Sequence, residues 1–232
     1  SPSQGDFSLL LASTNGPVWE AAGALARSGD TTRVTLQRLG FNLGDHKIGL
    51  DRDAVLTVNP TSVELDTLRL AGRVERITMA GAFPRSAPLS GFIEVESLHL
   101  EDLSRLFQMR VPLSGTLQTR IDVSGTRERP MLVASASIAG ASLGGVTVAR
   151  VTGSGTFDGE RFVGTAGIVQ RDVRVLEVSA NLPVSLPFSL RNDTMRVQIR
   201  SGDVGLDLLE SFTTKVRNAG GRFTVNLDLA GP

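Results

Sequence analysis

Apolar residues recur at every second position along most of this chain, the period of a β-strand with one buried face and one wet face. Val63 and Leu65 show it, as do Leu68 and Leu70. Leu117, Ile121 and Val123 share one parity, while Gln118, Arg120 and Asp122 take the other. Leu132, Ala134, Ala136 and Ile138 continue the pattern, followed by Val146 and Val148, Val173 and Val175, then Val178 and Leu182. The last run is Phe223, Val225, Leu227 and Leu229. Gly81, Pro84, Gly91, Gly115, Gly125, Pro130, Gly144-Gly145, Gly153, Gly155 and Gly159 punctuate these runs and read as turns. Strands at a spacing of roughly 8–12 residues predict an all-β fold, an elongated antiparallel sheet of sequential hairpins.

Helical signals are few and short. Gly16-Pro17 predicts the opening of a helix with Val18, Ala21, Ala22 and Leu25 as its apolar stripe, closing near Gly29. A second runs from Leu100 to Phe107, and a third lies around Leu206 to Phe212. Each is read as a cap or plug on a sheet edge. Residues 130–149 carry no charge, and roughly 20 apolar residues would span a membrane. Their alternation, interrupted by Ser and Gly, favours two strands around the Gly144-Gly145 turn instead.

An internal repeat organises the second part of the chain. Residues 115–125 align without a gap on residues 221–231, an offset of 106. Gly115, Asp122 and Gly125 recur as Gly221, Asp228 and Gly231, and Leu117, Ile121 and Val123 recur as Phe223, Leu227 and Leu229. The same offset places Ile93 on Ile199, Leu103 on Leu209 and Leu106 on Phe212. Units that bury their apolar faces only against their neighbours imply an elongated array. We therefore read residues 1–60 as a leading β segment that includes the first short helix, and 61–232 as the repeat-bearing segment. The chain opens on Ser1 with no signal-peptide pattern and reads as a piece of something longer.

Composition narrows the chemistry. The 24 Lys+Arg balance 24 Asp+Glu, which argues against nucleic acid as a partner because phosphate binding needs an excess of basic charge. Without Cys there is no disulfide framework, Cys-ligated zinc or thiol catalysis. His46 and His99 lack metal-binding spacing, no nucleophile elbow or phosphate loop occurs, and Gly153-Ser-Gly155 reads as a hairpin turn. Asn192-Asp-Thr194 reads as a chance sequon, and Glu94/Glu96 and Glu101/Asp102 as solvated surface. The reading is therefore of a protein that is not an enzyme, with no cofactor and no metal.

What remains is an apolar face that a single sheet cannot leave wet: it must fold on itself, pack against a second sheet, or hold something apolar. Aromatic residues are only 5% of the chain, and small Ala and Val mix with Leu and Ile, as suits a groove for flexible acyl chains. The groove residues are then Leu117, Ile121, Val123, Leu132, Ile138, Val146, Val148, Val173, Val175, Val178, Phe223, Val225, Leu227 and Leu229.

The order of several phrases resembles the TamB-type domain of AsmA-like proteins. These are Leu98-His-Leu100-Glu-Asp-Leu103-Ser-Arg-Leu106, then Val111-Pro-Leu113-Ser-Gly115, then Ile121-Asp-Val123-Ser-Gly125-Thr with Pro130. Asn181-Leu-Pro183-Val resembles a phrase common between such units, and the likeness covers roughly residues 60–232. The resemblance implies a β-taco, a long U-shaped sheet with an apolar interior, in a protein anchored at the inner membrane and spanning the periplasm of a diderm bacterium. It implies phospholipid acyl chains as cargo and an outer-membrane barrel partner of the TamA type. Two other readings stand beside it: a scaffold for outer-membrane protein assembly, and a structural β-solenoid or adhesin repeat with a dry core.

Overall fold

The computed structural model describes residues 3–12, 18–43, 46–106, 113–143, 146–170, 173–185, 189–190, 193–202, 204–205 and 221–231. They form eighteen strands and one short helix. The first strands are β1 (Ser3–Ala12), β2 (Val18–Ser28), β3 (Thr31–Leu43), β4 (His46–Leu50), β5 (Ala54–Asn59), β6 (Ser62–Ala71), β7 (Arg76–Pro84) and β8 (Ser90–His99). Helix α1 (Leu100–Leu106) follows, then β9 (Leu113–Gly125), β10 (Pro130–Leu143), β11 (Val146–Phe157), β12 (Arg161–Gln170) and β13 (Val173–Ser185). The chain continues through β14 (Ser189–Leu190), β15 (Met195–Ser201), β16 (Val204–Gly205), β17 (Arg222–Phe223) and β18 (Asn226–Gly231).

Sixteen strands make one antiparallel sheet in which neighbours in space are almost always neighbours in sequence, and β16 and β17 form a separate two-stranded ladder. The fold is therefore all-β, an elongated sheet built from successive hairpins. β4 and β5 share one ladder position: β3 meets β4 at Phe41↔Ile48 and β5 at Leu36↔Ala54. Residues 60 and 61 turn the β5–β6 hairpin, with Asn59 Oδ1 accepting from the amides of Thr61 and Ser62 at 2.8 Å.

Directly opposed residues in an antiparallel pair point to the same face, so the register assigns faces. Leu25↔Val34, Leu56↔Leu65, Met79↔Ile93, Ile93↔Ile121, Leu132↔Val123 and Val178↔Ile199 all lie on one face. Residues of the opposite parity, such as Arg120 opposite Glu94, lie on the other. A strand of 10–14 residues keeps this assignment only if it is corrected where it bends, and bulges do so. Register shifts fall between Leu65 and Leu68, between Val95 and Leu98, and between Ile168 and Val169. The residue inserted at the second of these, Ser97, has φ of 55°.

A flat single sheet would leave every residue half exposed, yet Ile48 and Ala54 are fully buried and Leu68, Leu70 and Leu98 nearly so. The apolar face therefore curls on itself, and Leu36, Phe41, Ile77, Met79 and Leu103 pack against that cluster. Leu103 comes from α1, which contacts both β9 and β3. Seven residues of helix extend only about 10 Å, yet β3 and β9 stand five ladder steps apart in the sheet, so α1 touches both only because the sheet curls and brings them together around it. Ser104 fixes its exit: its hydroxyl donates to the Leu113 carbonyl at 3.1 Å and accepts from the Leu113 amide at 3.0 Å.

The repeat is carried into the register pair by pair. Gly91↔Val123 and Ile93↔Ile121 become, 106 residues on, Val197↔Leu229 and Ile199↔Leu227. Beyond the bulge, Leu98↔Leu117 and His99↔Thr116 become Val204↔Phe223 and Gly205↔Arg222. The β16–β17 ladder is thus the counterpart of the far end of β8–β9.

Some sequence expectations are corrected. Residues 18–28 are strand β2, not a helix. Val18, Ala21, Ala22 and Leu25 satisfy a helical period, but Trp19, Ala21, Gly23 and Leu25 equally satisfy period 2 and meet the apolar face of β1 and β3. Trp19 stacks on Phe41 at 4.7 Å between ring centroids, a tertiary contact that overrides weak local propensity. The helix expected from Leu100 forms over Leu100–Leu106, and that expected at Leu206–Phe212 lies outside the described residues, as do Gly144 and Gly145. Gly81, Gly91, Gly115, Gly153 and Gly155 lie within strands rather than in turns, and Phe223 to Leu229 is split between β17 and β18. Among the described residues, no helix is long and apolar enough to cross a membrane.

Candidate functional site

The apolar face is filled in one half of the sheet and open in the other. Over β3–β9, α1 and the buried cluster occupy it. Over β9–β13 it encloses a cavity of about 450 Å³, lined by Ile121, Leu132, Ala134, Gly155, Phe157, Phe162 and Val184. All seven residues belong to the shared apolar parity, and none of them carries a polar side chain.

Glycines shape the cavity floor. Gly155 and Gly164 are opposed in β11 and β12, and the Phe162 ring lies flat across both. A Cβ added at Gly155 would stand 2.6 Å from Phe162 Cε2 and Cζ, and one at Gly164 would stand 2.7 Å from Cζ. The same arrangement occurs further back, where the Phe83 ring covers Gly81 and Gly91. A ring can lie flat on a sheet only where no side chains lift it, so the mid-strand glycines are sites of close approach.

The expected groove residues fall into several groups. Leu117, Ile121, Val123, Leu132, Ile138 and Val178 lie on the apolar face by register, and Ile121 and Leu132 line the cavity. Val148 is buried with Ala141 against Ile138, Val151 and Ile168, beyond a change of parity at Gly140 (φ 59°). Val175 is the extra residue of the β13 bulge, which shifts the run from odd Val173 to even Leu176 and Val178. Leu227 and Leu229 lie on the apolar face and are 41% and 50% exposed, so the face is uncovered there. Val225 precedes β18 and is held by Ser201, whose hydroxyl accepts from the Val225 amide at 2.6 Å. The side chains of Val146, Val173 and Phe223 lie outside the described residues; their backbones pair with Leu143, Gln170 and Val204.

The opposite face is a lattice of compensated charge. Arg120 bonds Asp122 at 2.8 Å, reaches Glu94 at 3.6 Å and lies 4.9 Å above the Phe92 ring. Lys47 meets Glu20 at 2.8 Å and holds its carboxyl below the ordinary range. Arg196 Nε donates to Asp228 Oδ1 at 3.0 Å, and with Gln198 it lowers the Asp228 pKa to about 2. Glu94 and Glu96 belong here, opposite Arg120 and Arg76. The chance sequon has a structural use, since Arg161 binds Asn181, Asp193 and the Thr194 carbonyl at 2.7–3.1 Å.

Two acidic residues read as solvated surface are instead enclosed. Asp102 is 3% exposed, and Glu101 Oε1 accepts from the Gly115 amide at 3.2 Å while its Oε2 is buried without a partner. Asp102 also joins His99 and Glu75 in a compact group whose ligand atoms lie within 4.8 Å of one another. Glu75 stands 24 positions before His99 in the sequence, so no local motif could reveal this trio. The one local sign is the His99-x-x-Asp102 spacing at the start of α1.

No family model, no curated protein and no solved structure matches this chain.

Proposed function

We propose that this chain is a segment of a bridge-like protein that carries phospholipid between two membranes, with acyl chains held on the apolar face and headgroups at its open side. The observation that carries the reading is the cavity of about 450 Å³ between Ile121, Leu132, Phe157 and Phe162, on a face that stays apolar from β1 to β18. Each methylene buried there contributes about 0.8 kcal/mol, and no polar side chain fixes a single position, as suits cargo that slides. The TamB-like phrases extend the proposal to the periplasm of a diderm bacterium, an inner-membrane anchor and an outer-membrane barrel partner.

The purified chain tests this with a fluorescent phospholipid. Ile121→Asp and Leu132→Asp are expected to lower binding at least tenfold, and Asp122→Lys on the charged face to leave it unchanged. Equal effects on both faces, or no binding at all, contradict the proposal.

A second reading has one observation of its own. Among the described residues β1 pairs with β2 on one side only, and its Leu9, Leu10 and Leu11 are 52%, 68% and 55% exposed. Such an edge can add a strand from another chain, the chemistry a scaffold for outer-membrane proteins would use. Proline at Ser8 or Leu10 would disable that edge and leave the distant cavity intact.

A further inference from the structure

We propose that Arg27 and Arg85 hold phospholipid headgroups by their phosphates at the hairpin end of the sheet, above a bare stretch of the apolar face on which the acyl chains lie. The inference rests on the lipid-carrying reading above and adds a second contact surface to it, apart from the cavity over β9–β13.

The register assembles this surface. Arg27↔Thr32 in β2–β3, Thr32↔Val58 in β3–β5, Val58↔Val63 in β5–β6 and Val63↔Phe83 in β6–β7 form one row across five strands. Directly opposed residues share a face, so Arg27 stands on the same face as Val58, Val63 and Phe83. These three, with Leu25, are 36–40% exposed. Leu68, Leu70 and Leu98 lie on the same face toward the other strand ends, and there they are buried in the cluster against which Leu103 of α1 packs. The apolar face is therefore sealed at the α1 end and bare at the hairpin end.

Arginines border the bare end. The Arg85 amide donates to the Thr61 carbonyl at 2.7 Å, one pair beyond Ser62↔Pro84. Arg85 thus keeps the parity of Phe83, as Arg27 keeps that of Leu25. In both strands the apolar run ends on a guanidinium at the rim: Gly23, Leu25, Arg27 and Gly81, Phe83, Arg85. Arg27 gives its Nε donor to the Gly29 carbonyl at 3.2 Å. Among the described residues neither arginine forms an ion pair, Asp30 being the one carboxylate in the two turns. Arg120, Arg161 and Arg196, by contrast, are bonded to carboxylates.

Bare hydrocarbon-binding surface bordered by unspent guanidinium groups fits an amphiphile with an anionic head. The forked N–H donors of arginine match phosphate oxygens in pairs, while the chains cover Val58, Val63 and Phe83. Continuity favours lipid over a peptide. Beside Phe83 the face runs through Gly81↔Gly91, Gly91↔Val123 and Leu132↔Val123 to Leu132, which lines the cavity. Gly81 and Gly91 leave that passage without side chains, beneath the Phe83 ring.

The test places a photo-crosslinking residue at Val63, within this row, in the purified full chain incubated with phosphatidylglycerol vesicles, and in a parallel protein at Ile121 in the cavity. Adducts are expected at both. Arg27→Gln combined with Arg85→Gln is expected to lower the Val63 yield about tenfold and to leave the Ile121 yield unchanged. Arg52→Gln, in the β4–β5 turn, should change neither. Diacylglycerol with the same acyl chains lacks the phosphate, so it should label Val63 weakly and without response to the arginine changes. Adducts at Ile121 with none at Val63 overturn this site alone, and a Val63 yield indifferent to the arginine changes overturns the headgroup contact. Adducts at neither position overturn both this site and the lipid reading. Crosslinks from Val63 to protein alone, in the full-length protein in cells, would give the row to a protein partner and overturn the proposal.

Discussion

Gly115 and Gly221 hold nearly the same backbone angle, φ of 123° and 121°, at positions 106 residues apart in the chain. Both open the second strand of a repeated ladder at a conformation other residues reach only with strain. A Cβ on Gly115 would also meet the Ala139 carbonyl oxygen and Ile138 Cγ2 at 2.9 Å. Gly115→Ala is therefore expected to destabilise the fold by about 2–4 kcal/mol in urea unfolding. Gly140 (φ 59°) has open space around it, so Gly140→Ala should cost only about 1–2 kcal/mol. Equal losses would contradict the packing described at Gly115.

The cavity floor makes a second prediction. Gly155→Ala and Gly164→Ala would each lift the Phe162 ring into the cavity, whereas a methyl at Gly153 meets its neighbours at an ordinary 3.6–3.9 Å. Phospholipid binding is expected to fall severalfold for the first two and to stay unchanged for Gly153→Ala. Fluorescent-lipid titration of the three variants, with far-UV circular dichroism as the folding control, decides it.

Asp228 makes a third. Its carboxyl titrates near 2 in the folded chain, against an ordinary value of 3.8, because Arg196 and Gln198 bond it. A lowered folded pKa contributes stability that is complete above the unfolded value and is lost as pH falls through the folded one. The β15–β18 ladder should therefore loosen between about pH 4 and pH 2, read as faster amide exchange at Leu227 and Leu229. Because the pair is solvent-exposed, 1 M salt should shrink the shift, and Arg196→Gln should move the Asp228 titration up toward 3.8, with the Gln198 bond keeping part of the shift.

Most of the sheet was legible because its two chemical faces are written at period 2, and the offset of 106 visible in the sequence recurs in the pairing of β8–β9 and β15–β18. Bulges were not legible as such. The switch from odd Val173 to even Val178 is visible in the sequence, but only the pairing of Ile168 with Leu176 shows that Val175 absorbs it. The Ala-rich run of β2 fits both periods, and the choice was made by Phe41 stacking on Trp19 from another strand. Gly81, Gly91 and Gly155 read as turns in the sequence because the rings that cover them, Phe83 and Phe162, act across the ladder or two residues along the strand, where a turn signal does not show them. The Glu75–His99–Asp102 group was hidden for the same reason, being assembled by three elements that meet only after the sheet has formed.

The most direct test of the central claim places a photo-crosslinking residue at Ile121, on the cavity wall, and in a parallel protein at Asp122, its neighbour on the charged face. Both are expressed in the full-length protein in cells and irradiated, and adducts are identified by mass spectrometry. Phospholipid adducts at Ile121 and none at Asp122 are the predicted result. Adducts at neither position, or equally at both, would contradict a lipid-filled apolar face.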